Sequence, residues 1–197
     1  MNSNNLVSLP NSLFSIPALK FLDLSHNKLG TPSNPASYLS EAIANAESLV
    51  ELRLAGNNLS QLPKGIGSLS NLEILDLKDN QLGALPDEIG CLYKLIKLSL
   101  DGNKLKLIPA SIGNLSLLTD LSAAKNKIES VENECLVELK NLVMLDLHQN
   151  CLTHFGAIPK ARKLDTICLN YNRLESISNL ENAPYLTVLD LHGNKID

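Results

Sequence analysis

The sequence predicts an α/β solenoid: a right-handed superhelix with about eight short strands in a concave parallel sheet and a convex side of 3₁₀ or short helical turns. Three observations predict it. The pattern Leu-x-x-Leu-x-Leu-x-x-Asn-x-Leu begins at Leu19, Leu49, Leu72, Leu95, Leu118, Leu142, Leu164 and Leu186, at intervals of 30, 23, 23, 23, 24, 22 and 22 residues. Its asparagine is present in every copy, as Asn27, Asn57, Asn80, Asn103, Asn126, Asn150, Asn172 and Asn194. Tryptophan is absent and aromatic residues make up only 4%, so one aliphatic pattern must build the core. Leu-x-Leu alternation at period two is a half-buried strand. A spacing of 22 to 24 residues must bring the chain back beside its previous strand, so identical strands stack in parallel.

In chain order, Met1, Asn4 and Leu6 lie 23 residues before Leu24, Asn27 and Leu29, so a partial copy precedes the eight full ones and no cap is evident. The first interval is seven residues longer than 23 and predicts a helix-containing longer repeat near 30–48. There Asn34 can cap, Pro35 suits the first helical position, and Leu39, Ile43 and Ala46 share a face. Three returns follow one pattern: Leu62-Pro63-Lys64-Gly65-Ile66-Gly67-Ser68-Leu69, then 85–92, then 108–115. Proline sits where no ladder N–H is needed, short 3₁₀ turns are expected, and the glycines relieve the tight return. The returns at Val131–Leu136 and Ile177–Asn182 abandon that pattern, and a change of curvature is expected with them. Ala123 stands where other copies place a leucine, which predicts a local adjustment or small cavity. Each asparagine falls just after its strand, where an amide can satisfy backbone groups of a buried bend. The column therefore reads as structural. Residues 1–197 form a single domain whose last core face is expected to be open, so that a longer protein or a partner covers it, and whose uncapped ends allow end-to-end self-association.

The Leu-Pro-x-x-Ile-Gly-x-Leu return, together with the asparagine pattern, resembles the intracellular 23-residue class of leucine-rich-repeat proteins. That class includes the Ras-group and scaffold proteins and leucine-rich repeat-containing protein 40. The last two intervals of 22, with Leu174-Glu175-Ser176-Ile177, look like the class of the protein phosphatase 1 regulatory subunit. The resemblance implies a binding scaffold or regulator. Extracellular relatives usually carry cysteine-rich caps, which this pattern lacks.

Composition narrows the function classes. With 17 basic and 21 acidic residues the net charge is −4, without the positive excess on which nucleic-acid or anionic-membrane binding rests. No apolar run reaches the roughly 18 residues of a membrane span, and MNSNNLVSLP is no export signal, so a cytoplasmic protein without membrane insertion is expected. Cys91, Cys135, Cys151 and Cys168 form no CxxC and read as thiols. No phosphate loop, HExxH or GxSxG occurs, so neither catalytic residues nor a cofactor is expected and the protein reads as no enzyme. His148 and His192 hold one position two copies apart with Cys168 between them, but four converging metal ligands are not evident and no metal site is assigned.

The informative surface is the concave face, formed by the non-leucine strand positions. It offers Asp23, Glu51, Arg53, Asp76, Lys78, Lys97, Asp101, Asp120, Met144, Asp146, His148, Cys168, Asn170, Val188, Asp190 and His192, with Tyr171 beside them. Its middle column, from Asp23 and Arg53 to Asp190, holds four carboxylates to one base, which favours a protein partner with a basic surface. Ser25, Ser122 and Ala124 fall on the same face. Met144, Val188, Cys168, His148, Asn170, Tyr171 and His192 make a mixed patch of the composition that anchors interfaces. The function expected is a protein-interaction scaffold or regulatory signalling module. A targeting domain cut from a larger signalling enzyme, or a phosphatase or GTPase regulatory subunit, is the alternative.

Overall fold

The computed structural model describes residues 1–31, 38–131, 133–156 and 158–196. Among the described residues, ten strands alternate with short turns: β1 (Phe21–Asp23), β2 (Glu51–Arg53), β3 (Ile74–Asp76), β4 (Lys97–Ser99), β5 (Asp120–Ser122), β6 (Met144–Asp146), β7 (His154–Phe155), β8 (Thr166–Cys168), β9 (Ser176–Ile177) and β10 (Val188–Asp190). Eight of them form one sheet in the order β1-β2-β3-β4-β5-β6-β8-β10, and β7 pairs with β9 in a second, two-stranded sheet. Every pairing is parallel, and Leu22, Leu52, Leu75, Leu98, Leu121, Leu145, Ile167 and Leu189 stand in one register row. Fixed intervals in the sequence thus become straight rows in space.

The core lies between this sheet and the convex turns. Its leucines are sealed from solvent through the central copies, Ala123 included, whereas Leu189 on β10 is 36% exposed. The asparagine column is the second element of the core. Asn80 is typical: Oδ1 accepts the N–H of Leu59 in the preceding copy at 3.0 Å, and Nδ2 donates to Leu77 in its own copy and to Leu54 in the one before. The N-terminal residues join the ladder, since the Leu6 N–H donates to Asn27 and Asn4 makes the same short-range bonds to Met1 and Asn2. The structural reading of the column holds.

A residue in the left-handed backbone region precedes each of these asparagines: Ser3, His26, Gly56, Asp79, Gly102, Lys125, Gln149, Tyr171 and Gly193, all with φ between 51° and 69°. This turns the amide inward under the bend. Only glycine adopts that conformation without cost, and glycine occupies a minority of the positions.

On the convex side, 3₁₀ turns span Asn11–Ser15, Glu41–Asn45, Lys64–Ser68, Asp87–Cys91, Ala110–Asn114 and Leu180–Asn182. Pro63, Pro86 and Pro109 immediately precede three of them, with φ near −68°, −69° and −66°. The expected helix in the longer repeat is, over its described part, the 3₁₀ turn Glu41–Asn45, capped by the Ser40 hydroxyl, which accepts the Ala42 N–H. Asn34 and Pro35 lie outside the described residues. A one-turn helix, α1 (Asn133–Val137), replaces the 3₁₀ turn where the proline pattern stops.

The glycines of the Ile-Gly pairs act differently from the expectation. Their φ values are ordinary; what they allow is close stacking of successive turns, since a Cβ on Gly67 would stand 2.5 Å from the Glu88 carbonyl oxygen. A second inter-repeat clamp comes from Glu41, whose carboxylate accepts the Lys64 N–H at 3.1 Å and the Gly65 N–H at 2.7 Å. Both bonds are solvent-exposed, so Glu41→Ala is expected to cost only about 0.5 to 1.5 kcal/mol, read as a small shift of the urea midpoint.

Candidate functional site

Three rows of side chains cross the concave sheet at right angles to its strands. The first runs Phe21, Glu51, Ile74, Lys97, Asp120, Met144, Thr166, Val188, and the second Asp23, Arg53, Asp76, Ser99, Ser122, Asp146, Cys168, Asp190. The third row, just past the strands, includes Lys78, Asp101, His148, Asn170 and His192. All the predicted concave residues reach solvent, but Ser25, Ser122 and Ala124 do not: they are 7%, 8% and 1% exposed. The cause on β5 is Asp101, whose carboxylate accepts both the Ser122 hydroxyl and the Ala124 N–H and closes over them.

In the N-terminal half Glu51, Asp101 and Asp120 are ion-paired, and Asp23 and Asp76 lie within reach of the charges of Arg53 and Lys78. Arg53 bonds Glu51 through Nε at 2.6 Å, and its guanidinium carbon lies 5.5 Å from the centre of the Phe21 ring. Burial pushes the Asp23 carboxyl upward, but bonds from Ser25 and Asn2 and the charge of Arg53 outweigh it and hold its pKa low. Lys78 lies 3.1 Å from Asp101. Burial pushes the Lys78 ammonium down, yet Asp101, Asp76 and Asp79 keep it protonated above its ordinary range. Lys97 stands 3.9 Å from Asp120. Three cations are thus shared among the five acids here, so the charge is only partly offset.

The C-terminal half is built differently. Asp146 and Asp190 flank Cys168 in register. His148 Nδ1 lies 2.7 Å from Asp146 Oδ1, and His192 Nδ1 lies 2.6 Å from Asp190 Oδ1. The same two oxygens also accept the backbone N–H of His148 and His192. Among the described residues, neither aspartate pairs with a lysine or arginine. The bond from His192 comes first among the causes that hold the Asp190 carboxyl below its usual value. Burial raises the Cys168 thiol, and the charges of Asp146 and Asp190 raise it further, so it stays protonated and is a poor nucleophile. The Tyr171 ring meets His192 edge-on at 4.5 Å. It can lie there because Gly193 has no side chain: a Cβ at that position would be 2.7 Å from Tyr171 Cδ1.

The structure therefore brings Met144, Asp146, His148, Cys168, Asn170, Tyr171, Val188, Asp190 and His192 onto three neighbouring strands and their turns. It sets Asp23, Glu51, Arg53, Asp76, Lys78, Lys97, Asp101 and Asp120 apart, on β1–β5 and the turns that follow. Among the described residues no three His, Cys, Asp or Glu side chains converge to hold a metal ion. Sequence reading missed the Asp–His pairing, although an Asp-x-His triplet on a strand signals it, because i and i+2 lie on one face.

The family profile described as "Leucine-rich repeat region" matches residues 2–197. No match was found among curated proteins. Among solved structures, an LRR protein of Leptospira interrogans is 33% identical, with a TM-score of 0.74 over 98% of this chain and 54% of that one. The Arabidopsis receptor kinase HAESA, in complex with the peptide hormone IDA and the co-receptor SERK1, is 25% identical, with a TM-score of 0.80 over 98% of this chain and 33% of that one. The internalin InlF of Listeria monocytogenes shares the fold, at 23% identity and a TM-score of 0.79 over 99% of this chain and 54% of that one. The chain thus spans between a third and just over half of these proteins. With its asparagine ladder and parallel concave sheet matched along nearly its whole length, the chain belongs to the leucine-rich repeat family.

Proposed function

We propose that the chain is a protein-interaction module, a scaffold or regulatory domain without chemistry of its own, which holds a partner on its concave face. The observation that carries this reading is the patch on β6, β8 and β10. There Met144 and Val188, with Thr166 between them, run beside two Asp–His pairs and an aromatic ring, and no segment of the described chain covers them. Mixed apolar, aromatic and polar surfaces of this kind anchor interfaces. HAESA, with the same fold, is seen in complex with a peptide hormone and a co-receptor, which supports a protein ligand here. Support for a cytoplasmic scaffold of the Ras-group type comes from the Leu-Pro-x-x-Ile-Gly-x-Leu return and the free thiols Cys91, Cys151 and Cys168. A second reading, the recognition domain of a larger signalling enzyme, draws on the chain's spanning only 33% of a receptor kinase.

The test compares the native chain with a Met144→Glu, His148→Glu, Asp190→Arg variant of unchanged circular dichroism, in a lysate capture read by quantitative mass spectrometry. One partner enriched on the native chain and lost from the variant is the expected result. Partners that survive all three substitutions overturn the concave-face reading.

A further inference from the structure

From the C-terminal patch we infer the chemistry of the segment it binds: a polyproline II stretch of partner chain carrying two arginines three residues apart, each guanidinium seated on one Asp–His pair. This rests on the module reading above and narrows it from the whole acidic column to β6, β8 and β10.

The first ground is where negative charge is left without a cation. On β1–β5 and their turns, Glu51 pairs with Arg53, Asp101 with Lys78, and Asp120 with Lys97. A basic ligand there would have to displace a lysine or arginine already in place. Asp146 and Asp190 have only histidines, and the described residues leave the second oxygen of each carboxylate, Oδ2, unbonded.

The second ground is the kind of polar group exposed. Each imidazole turns Nδ1 to its aspartate, so a neutral ring carries its hydrogen there and presents Nε2 as an acceptor. With the ring neutral, the atoms that each pair leaves free, the carboxylate Oδ2 and the ring Nε2, are therefore both acceptors. A guanidinium has five N–H donors and no acceptor, and its charge complements a carboxylate that has no lysine or arginine paired with it among the described residues. A carboxylate or phosphate ligand would meet acceptor against acceptor.

Spacing and packing complete the fit. The two pairs sit on β6 and β10 with β8 between them, about 10 Å apart at about 4.8 Å per strand. A polyproline II stretch has three residues per turn and advances about 3.1 Å per residue, so side chains three residues apart point the same way and lie about 9 Å apart, close to that distance. The row Met144, Thr166, Val188 runs parallel to the aspartate row one pleat away, and can take the aliphatic stems of the arginines. Tyr171, held against His192, gives the outer guanidinium an aromatic neighbour.

The probe is the peptide acetyl-Gly-Arg-Ala-Ala-Arg-Gly-amide, titrated into the whole ¹⁵N-labelled chain, with a twin in which citrulline replaces both arginines. Amide shifts confined to β6, β8, β10 and the turns at Gln149, Tyr171 and Gly193 are expected. Binding should weaken about tenfold for the citrulline twin and about tenfold for an Asp146→Asn, Asp190→Asn variant. That variant keeps the oxygen that accepts each backbone N–H, and its own amide spectrum verifies its fold. No shift at millimolar peptide, equal binding of the citrulline twin, or equal loss in an Asp23→Asn, Asp76→Asn variant overturns the inference. A captured partner that is lost from the Met144, His148, Asp190 variant but indifferent to Asp146→Asn, Asp190→Asn also overturns it while leaving the module reading intact. Peptide binding at β6–β10 with no partner lost from the triple variant would remove the module reading instead.

Discussion

Asn126→Asp is expected to cost the fold about 3 to 5 kcal/mol, as an uncompensated charge in a buried site does. Asn126 is 9% exposed. Its Oδ1 accepts the Leu105 N–H at 3.0 Å, and its Nδ2 donates to the carbonyls of Leu100, Ala123 and Ala124. Aspartate keeps the acceptor but turns a negative oxygen toward three carbonyls. Asn126→Ala should cost less, about 1 to 3 kcal/mol, because it chiefly strands one buried N–H. The Leu100 and Ala123 carbonyls each keep a second amide, from Asn103 and Asn150. The two variants also differ in pH dependence. Burial and the facing carbonyls raise the pKa of the introduced carboxyl above its unfolded value, so its penalty is full at neutral pH and shrinks as pH falls through the folded value. Chemical denaturation at neutral and acidic pH reads both effects. Asn4→Asp is the control: Asn4 makes similar local bonds in full solvent, and its change should stay within about 0.5 kcal/mol. Equal losses at Asn4 and Asn126, or an Asn126→Asp penalty that grows in acid, would refute this account of the ladder.

The second large effect is at Gly67. In an open turn, Gly→Ala at ordinary φ stabilises by about 0.4 to 1 kcal/mol through the unfolded chain. Gly67 should show the opposite sign. An added Cβ would lie 2.5 Å from the Glu88 carbonyl oxygen and 2.9 Å from the Glu88 Cβ, and the first of these is backbone. Accommodating it means prising the turn Lys64–Ser68 away from Asp87–Cys91, at about 1 to 3 kcal/mol for alanine and more for valine. Gly83, around which a Cβ meets nothing within 4 Å, supplies the comparison: Gly83→Ala should be neutral or slightly stabilising. Thermal midpoints decide it, at roughly 2 to 4 °C per kcal/mol for a chain of this size. Matching signs at the two positions would overturn the close-approach explanation.

The two sites also show what the sequence could and could not reveal. The asparagine column was legible because a polar residue that recurs at every return, next to buried leucines, has one physical use there: to satisfy a bend. The rows of the sheet were legible for a similar reason, since period-two strands at near-constant intervals admit a single parallel register. The role of Gly67 was not, because the turn it touches comes from the next copy, 21 residues away at Glu88. The left-handed residue before each asparagine was hidden as well. Gly56, Gly102 and Gly193 hint at it, but His26, Lys125, Gln149 and Tyr171 adopt the same conformation against their preference. At the candidate site the residues were foreseen and their states were not. Whether a carboxylate on an exposed sheet is already compensated depends on side-chain reach across strands, as Lys78 shows by spanning to Asp101. Such reach is no property of spacing in the chain.

Each asparagine bonds only within its own copy and to the copy before it, and each strand pairs only with its immediate neighbours in the stack. Length is therefore the cheapest thing for such a protein to change in evolution. Excising the 23 residues from Gln81 to Asn103 would hand the acceptor role for the Leu105 N–H and its neighbours to the same partners as before, and leave Asn80 to be followed by a copy of identical form. Gain or loss of one whole unit keeps every interface type, whereas a gain or loss of a few residues breaks one. The concave rows would lengthen or shorten by one column, so that the surface presented to a partner can be edited by duplication without redesigning the fold that carries it.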